Sequence, residues 1–229
     1  MRIQTSTPPR RLPRAERRAQ ILRAAAATFV RAGFDGTSMD DVARSAGVTR
    51  LIVYRIFTSK EELYRAVLEQ VTTRLGEEFD AIVGDEPHHR SGSEAGRRAS
   101  EAGRRRGEPD HRSAGEAGRG HAAAALLRVA REDPDAFRLL WLHAAHEPPF
   151  AAYHREFRTV ADAMAADLIR PYLADPTLRA WAGPTLVAHL YDGVIAWLDR
   201  GRAEQDEAFV AAMSRGVRAL VAAWAAGAG

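Results

Sequence analysis

Cysteine is absent from this chain, and its absence excludes several kinds of site. Without thiols the protein can form neither disulfide bridges nor thiolate metal centres, and it has no cysteine nucleophile. A chain without disulfides suits a reducing compartment, so the sequence predicts a cytoplasmic location. No uninterrupted apolar run approaches the roughly 18 residues that a membrane-spanning helix needs, so we expect no membrane partner.

Strand-forming residues are scarce as well. Hydrophobic residues make up 46% of the 229 positions, but alanine supplies much of that share, while Val, Ile and Thr are sparse. Alanine has the highest helix propensity, whereas β-branched residues favour strands, so we predict an all-α protein. The sequence also lacks a glycine-rich phosphate loop after a strand and a nucleophile elbow. We therefore expect no enzyme, no catalytic residue and no cofactor.

Positive charge is concentrated at the start of the chain. The first 60 residues carry 12 Lys or Arg side chains against 4 acidic ones, a net charge of +8, although the whole chain sums to only +3. A basic first quarter is typical of a nucleic-acid-binding end, although a solvated charged surface has the same composition. The motif carried by the same residues favours the first interpretation.

The segment 37–60 has the pattern of two short helices joined by a tight turn. Ser38 is placed to cap the first of them, and Ala46-Gly47 supplies the turn. A longer helix is predicted over 14–32, and Ser59 opens the helix that follows the motif. This arrangement is typical of a helix-turn-helix, whose second helix fits the major groove of DNA.

A long stretch without large apolar residues comes next. Residues 84–120 contain no Val, Ile, Leu, Met, Phe, Trp or Tyr, and the decapeptide at 89–98 recurs at 111–120 with seven identical positions. Such a segment cannot bury enough apolar surface to offset the entropy lost on ordering. We therefore predict a disordered, low-complexity insertion that grew by local duplication.

The remainder of the chain is predicted to be helical. Asp133-Pro134 and Asp175-Pro176 each combine a capping side chain with proline at the first helical position. Long helices are expected over 150–173, either straight or kinked at Pro171, and over 184–200 and 206–226. The last two helices carry more large apolar residues than one core requires, which indicates a partner subunit. The residues predicted at this dimer interface are Leu186, Leu190, Val194, Trp197, Phe209, Met213, Val217 and Leu220.

Aromatic and histidine side chains concentrate in the middle of this helical part. Small-molecule sites are mostly apolar with a few placed polar groups, so we predict a ligand pocket here, although core packing would explain the same residues. His143 and His146, three positions apart, would alternatively share a metal ion in a small hydrolase, but no fourth ligand is evident and we predict no metal. The residues predicted at the pocket are Trp141, His143, His146, Phe150, Tyr153 and Phe157.

The first 80 or so residues resemble the TetR family of bacterial transcriptional repressors. The resemblance rests on Arg31-Ala32-Gly33-Phe34, Thr37-Ser38-Met39, Val42-Ala43, Ala46-Gly47-Val48, Tyr54, Phe57 and Ser59-Lys60-Glu61. It implies a homodimer whose last two helices form an intersubunit four-helix bundle, with one recognition helix of each subunit in the major groove of a palindromic operator. It also implies a small-molecule inducer that binds the C-terminal domain and releases the DNA.

The resemblance also implies roles for single residues. Arg50 and Arg55 are candidates for base edges, because a bidentate arginine–guanine pair discriminates by about 1–3 kcal/mol; phosphate contacts are the alternative. Leu51 stands where the family has a small residue, and would either contact thymine methyl groups or pack. The family positions that touch phosphates are Thr37, Thr49, Tyr54 and Lys60. The full set predicted to contact DNA is Thr37, Ser38, Thr49, Arg50, Leu51, Tyr54, Arg55 and Lys60.

These expectations divide the chain into five segments. They are a flexible N-terminal arm over 1–13, a helix-turn-helix DNA-binding domain over 14–58, a connecting helix over 59–83, the low-complexity insertion over 84–120, and a ligand-binding and dimerisation domain over 121–229.

Overall fold

A computed structural model of the chain describes residues 12–84 and 111–227, with side chains described except at 82–84 and 111–121. Within these ranges the secondary structure is helical, without strands, which confirms the predicted all-α class. The chain forms two compact units that divide between Glu69 and Gln70. The predicted arm over 1–13, apart from its last two residues, and the part of the predicted insertion over 85–110 lie outside the described residues.

The first unit contains the helix-turn-helix. Helix α1 spans Arg14–Ala32, as predicted, and is followed by α2 (Met39–Ser45), α3 (Arg50–Tyr54) and the first part of α4 (Lys60–Gly84). The unit extends beyond the predicted domain end at 58, because the first turns of α4 bury apolar side chains in the same core. The largest buried side chains of this core are Ile21, Leu22, Phe29, Phe57, Leu63, Tyr64 and Leu68.

Caps and a glycine turn fix the helix-turn-helix. The Ser38 hydroxyl accepts the Asp41 amide at 3.2 Å, and the Asp41 carboxylate accepts the Ser38 amide at 3.1 Å, which completes the predicted capping box. Gly47 has a φ of 62°, a left-handed conformation that suits glycine at the turn. The Gln20 side chain donates to the Ala46 carbonyl at 2.7 Å, so α1 holds this turn in place.

The second unit is built from the rest of α4 and the C-terminal helices. In chain order these are α5 (His111–Glu132), α6 (Pro134–Arg138), a π-helical turn (Leu139–His143), a 3₁₀ turn (Ala144–His146), α7 (Ala151–Ile169), α8 (Pro176–Arg200), a 3₁₀ turn (Ala203–Gln205) and α9 (Asp206–Ala226). Helices α5, α7, α8 and α9 pack on one another around a common apolar core. The predicted caps are present: Asp133 accepts the Ala136 amide, and Asp175 accepts those of Thr177 and Leu178.

The predicted insertion over 84–120 is wrong at its C-terminal end. Residues 111–120 belong to α5, which begins at His111. Helix propagation costs far less than nucleation, and the buried part of α5 from Ala122 onward supplies the anchored nucleus. The polar decapeptide therefore extends a helix that packing elsewhere has already formed.

Two predicted helix boundaries in the second unit are also wrong. Helix α7 ends at Ile169 before Pro171 instead of continuing to 173, because proline has no N–H with which to continue the helical hydrogen bonds. Helix α8 begins at Pro176 instead of 184, and Pro184 lies inside it. The neighbouring Gly183 has no room for a side chain, since an added Cβ would lie 2.7 Å from the Asp162 carbonyl oxygen of α7. Close packing of α7 on α8 outweighs the cost of the internal proline.

The last helix is unusually apolar for one so poorly covered. The segment Ala203–Ala226 is long and apolar enough, by length and composition alone, to cross a membrane, which is weak evidence for a span. Only 17% of that segment's most apolar window is buried. Arg215 and Arg218 interrupt this segment, so it contains no uninterrupted apolar run of about 18 residues. An apolar helix face is thus left open in the single chain.

Candidate functional site

Helix α3 turns one face into the first unit and the other to solvent. Val53 is fully buried, and Phe57, one turn later, is buried beside it. The opposite face carries Leu51, which is 67% exposed, and Tyr54, which is 39% exposed. Thr49, Arg50 and Arg55 are exposed on the same side. The structure therefore brings five of the eight residues predicted to contact DNA onto one cationic surface.

Arg50 is held in a defined position on this surface. Its Nη1 lies 3.0 Å from the Asp40 carboxylate of α2, and its guanidinium lies 5.1 Å from the centre of the Tyr54 ring. The Tyr54 hydroxyl, at 3.4 Å from Nη2, and the Asp40 charge raise the pKa of Arg50. Because both charged groups of the Arg50–Asp40 pair are solvated, the pair orients the guanidinium more than it stabilises the fold.

Thr37 is not on this surface, contrary to prediction. Its side chain is 3% exposed, and its hydroxyl donates to the Gly33 carbonyl at 2.7 Å. The loop between α1 and α2 needs this bond because buried carbonyl groups must find a donor. Ser38 is exposed, but its hydroxyl belongs to the cap of α2. Their side chains shape the loop that carries α2.

The Lys60 side chain is hydrogen-bonded within the first unit. Its Nζ donates to the Phe34 carbonyl at 2.7 Å and lies 4.2 Å from the centre of the Phe34 ring. The ammonium therefore ties the first turn of α4 to the α1–α2 loop. Ser59 caps α4 by accepting the Glu62 amide at 3.1 Å, and the Glu62 carboxylate accepts the Thr58 amide and hydroxyl, each at 2.6 Å.

The second unit has a partly open apolar cavity of about 360 Å³ between α4, α5, α7 and α8. Tyr153 and Phe157, both predicted at the ligand pocket, line it. The Thr72 and Tyr153 hydroxyls meet across it at 2.7 Å. Residues at this cavity that the sequence interpretation missed include Leu75, Phe79, Leu126, Met164, Leu168, Val187, Leu190 and Tyr191. Helical spacing of Phe157, Ala161, Met164 and Leu168 was the signal for the α7 wall.

The other four residues predicted at the pocket do not line this cavity. Trp141 stacks on Tyr191 at 4.3 Å and donates to Asp192 at 2.6 Å, which holds it outside the cavity lining. Phe150 is buried in the core at the start of α7. His143 and His146 fall on the π-helical and 3₁₀ turns, where the break in α-helical geometry takes them away from the cavity.

The histidine region gives no support to a metal-dependent hydrolase. Among the described residues, no group of three or more His, Asp or Glu side chains is arranged to hold a metal ion. His154 lies nearby, half-buried, and burial together with the charges of Arg158 and His146 lowers its pKa. His143 is partly buried, whereas His146 is exposed.

Ion pairs fix α4 against α5 beside the cavity. Arg74 of α4 donates to both oxygens of Glu132 of α5 at 3.0 and 2.9 Å. Arg128 of α5 in turn donates to the same Glu78 oxygen of α4 at 3.0 and 2.6 Å. Glu78 has its pKa lowered by the hydrogen bond from Arg128 first of all. These pairs oppose each other across the two helices and set their spacing at this wall of the cavity.

Several residues predicted at the dimer interface also fill or border the core of their own unit. Leu186, Val194 and Val217 are buried within the single chain. Leu190 lines the cavity, Trp197 stacks on Phe209 at 4.7 Å, and Met213 packs against Gly193. Large apolar residues maximise burial inside the subunit, so small ones occupy the outer face of α9. The exposed residues of that face are Ala208, Ala211, Ala212, Arg215, Ala219, Ala222 and Ala223.

Comparisons with known proteins agree with the geometry of both units. Residues 21–67 match the family model described as "Bacterial regulatory proteins, tetR family". The HTH-type transcriptional activator FasR of Mycolicibacterium smegmatis is 50% identical over 65 residues, 28% of this chain and 30% of that protein. The uncharacterized HTH-type transcriptional regulator YfiR of Bacillus subtilis is 44% identical over 54 residues, 24% of this chain and 26% of that protein. The matched segment thus spans less than a third of either relative.

A solved structure resembles the chain over a much greater length. The TetR-like transcriptional regulator from Rhodococcus sp. RHA1 aligns with 96% of this chain and 100% of its own, with a TM-score of 0.69 and 20% sequence identity. At this identity the likeness establishes the fold alone. Both parts of the described chain therefore have the architecture of such regulators.

Proposed function

We propose that this chain, a member of the TetR family of bacterial regulatory proteins, is a DNA-binding transcriptional regulator that binds a palindromic operator as a homodimer. The single observation that carries the proposal is the exposed face of α3, where Arg50, Tyr54 and Arg55 project from a helix whose other face is buried. We place the protein in the cytoplasm and assign it a regulatory rather than a catalytic role.

The α3 face suits the major groove. Arg50 and Arg55 supply planar donors for guanine edges, and Leu51 supplies an apolar surface for thymine methyl groups. Thr49 and Tyr54 flank them with hydroxyl groups that suit phosphates, which fix register without reading sequence. The Asp40 carboxylate presets the Arg50 guanidinium before DNA arrives. We do not extend the phosphate role to the side chains of Thr37 and Lys60, because both are already satisfied within the unit.

A second copy of the chain is the proposed cover for α9. The alanine-rich outer face of α9 is exposed, and an isologous pairing would place the same face on both subunits. Small side chains allow close approach of helices in such a bundle. Two helix-turn-helix units held by this pairing would contact operator half-sites whose centres lie about one turn of DNA, roughly 34–36 Å, apart.

A small molecule in the apolar cavity is the proposed signal. Helix α4 contributes Thr72, Leu75 and Phe79 to the cavity and, at its other end, Leu63 and Tyr64 to the core of the first unit. A ligand that changes the position of α4 therefore acts on the element that continues into the DNA-reading unit. We propose that the ligand releases the operator and that the chain represses transcription.

The test is binding to DNA from the region beside the gene. Gel-shift and footprinting assays are expected to show a protected inverted repeat that survives excess unrelated DNA, with affinity that falls as salt rises. A promoter–reporter fusion, in which deletion of the gene raises expression, distinguishes repression from activation. Absence of any protected repeat, or equal binding to all DNA, would overturn the proposal.

A further inference from the structure

We propose that the cavity of the second unit binds an elongated lipophilic molecule with an uncharged or cationic head group, and discriminates against carboxylates. This inference rests on the proposed regulatory function, because it names the class of ligand that the same cavity takes. Its support is the distribution of polar and apolar side chains along the cavity.

The cavity is elongated. Its wall on α7 runs from Tyr153 to Leu168, and 15 residues of α-helix rise about 22 Å. Between these ends α7 presents Phe157 and Met164 to the same space. A compact polar metabolite would leave most of this wall uncovered, whereas an alkyl chain would follow it.

Most of the cavity lining is apolar. Leu75 and Phe79 face it from α4, Leu126 from α5, and Val187 and Leu190 from α8. Removal of a hydrocarbon chain from water is favourable in proportion to the apolar area buried, and none of these side chains offers it a hydrogen bond. This part therefore suits the tail of the ligand.

The polar groups of the lining gather near Tyr153, at the start of α7. The hydroxyls of Thr72 and Tyr153 lie 2.7 Å apart, and Glu156 follows Tyr153 by three positions, so both face the same side of α7. A hydroxyl or ammonium head can donate to these oxygens. This end therefore suits the head of an amphiphile.

Charge decides which heads are accepted. Among the residues that the structure describes at the cavity, Glu156, which is also exposed to solvent, supplies the carboxylate, and no Lys, Arg or His is present. The nearby Arg158 guanidinium lies 4.4 Å from the centre of the Trp141 ring and 3.3 Å from the Asp162 carboxylate, which already balances its charge. A carboxylate head would meet Glu156 without a cation to compensate it, whereas an ammonium head would pair with it.

The test uses three probes with the same tail. Dodecylamine, dodecanol and dodecanoate compete with the fluorescent lipophile N-phenyl-1-naphthylamine for the full-length protein, without DNA. We expect the amine and the alcohol to displace the dye at concentrations about tenfold lower than dodecanoate. Tightest binding of dodecanoate, or displacement by none of the three, would overturn the inference.

Variants assign the two ends. Glu156→Gln is expected to weaken the binding of dodecylamine several-fold while leaving the binding of dodecanol unchanged. Asp167→Asn, on an exposed turn of the same helix, is the control. Leu168→Trp is expected to exclude dodecanol but to retain hexanol, with Met164→Phe as a second variant should the first fail to fold. Equal effects on amine and alcohol in Glu156→Gln would refute the head-group assignment.

The outcomes are separable from those of the proposed function. If the protein binds its operator but none of the three probes, the ligand class is wrong and the regulator stands. If the amine and the alcohol bind but no operator is found, the cavity assignment stands and the DNA-binding proposal fails. Release of the operator by dodecylamine but not by dodecanoate would support both.

Discussion

Arg131 and Asp206 form a two-point ion pair that ties α5 to the start of α9. The Arg131 Nε lies 3.0 Å from Asp206 Oδ2, and its Nη2 lies 2.8 Å from Oδ1. Trp197 of α8 donates to the same Oδ1 at 2.7 Å. One carboxylate thus joins three helices of the second unit, although Arg131 and Asp206 are 75 residues apart.

Replacement of this carboxylate is expected to destabilise the protein. Asp206→Asn leaves Arg131 without its charged partner, and because the pair is partly solvated we expect a loss of about 1–2 kcal/mol in the free energy of unfolding. Urea denaturation followed by circular dichroism measures it. Glu207→Gln, the next residue and exposed, is the control. Equal stability of Asp206→Asn and wild type would show that the pair contributes nothing.

The same carboxylate predicts a pH dependence. The hydrogen bond from Arg131 is the main cause that lowers the pKa of Asp206 below its unfolded value of about 3.9. A lowered folded pKa stabilises the fold above the unfolded pKa, and this contribution is lost as the pH falls through the folded value. The stability difference between wild type and Asp206→Asn should therefore be constant near neutral pH and shrink below about pH 4.

Loss of the Arg50 guanidinium is expected to change which operators bind. Arg50→Ala should cost about 1–3 kcal/mol in operator binding and relax specificity at one base pair. Binding to a panel of single-base operator variants measures both. Arg44→Ala is the matched control, because Arg44 is exposed on α2 and also pairs with an aspartate. A uniform loss of affinity over all operator variants would indicate that Arg50 contacts the DNA phosphate backbone rather than a base.

Lys60 is expected to act on stability rather than on phosphate. Lys60→Ala removes the bond to the Phe34 carbonyl and should lower the free energy of unfolding by about 1 kcal/mol. The slope of log affinity against log salt should stay the same, since no phosphate contact is lost. A slope reduced by about one unit would instead indicate that Lys60 contacts a DNA phosphate, as the family resemblance implies.

A charge on the exposed outer face of α9 is expected to prevent dimerisation. Ala222→Glu places a charge on the exposed face and should produce a folded monomer, detectable by light scattering after size-exclusion chromatography. Ala163→Glu, exposed on α7, is the control and should remain dimeric. Persistence of the dimer in Ala222→Glu would remove α9 from the interface.

Truncation inside the core tests the revised assignment of α8. Leu186→Ala creates a cavity among buried residues, so we expect a loss of about 2–5 kcal/mol in the free energy of unfolding. Leu142→Ala, at a residue that is 42% exposed, should change it by about 0.5 kcal/mol or less. The measurement is again urea denaturation, at several protein concentrations. A loss of unfolding free energy that varies strongly with protein concentration would indicate that Leu186 lies at the dimer interface.

Local sequence signals were enough to predict the helix-turn-helix. The Ser38 cap, the Gly47 turn and the exposure of Tyr54 depend on neighbours within a few residues, and each is present in the structure. The cavity lining depended on distant partners. Thr72 and Tyr153 are 81 residues apart, and nothing in either local pattern indicates that their hydroxyls meet.

By itself the sequence determined the helical class, the helix-turn-helix and the basic character of its first quarter, because propensity, caps and charge act over short distances. Only the tertiary structure decided that Thr37 and Lys60 face inward, that α8 starts at Pro176, and that Leu186 fills its own subunit's core. The physical reason is that a helix has more than one apolar side. Which side is buried inside the chain is decided by the helices that pack against it.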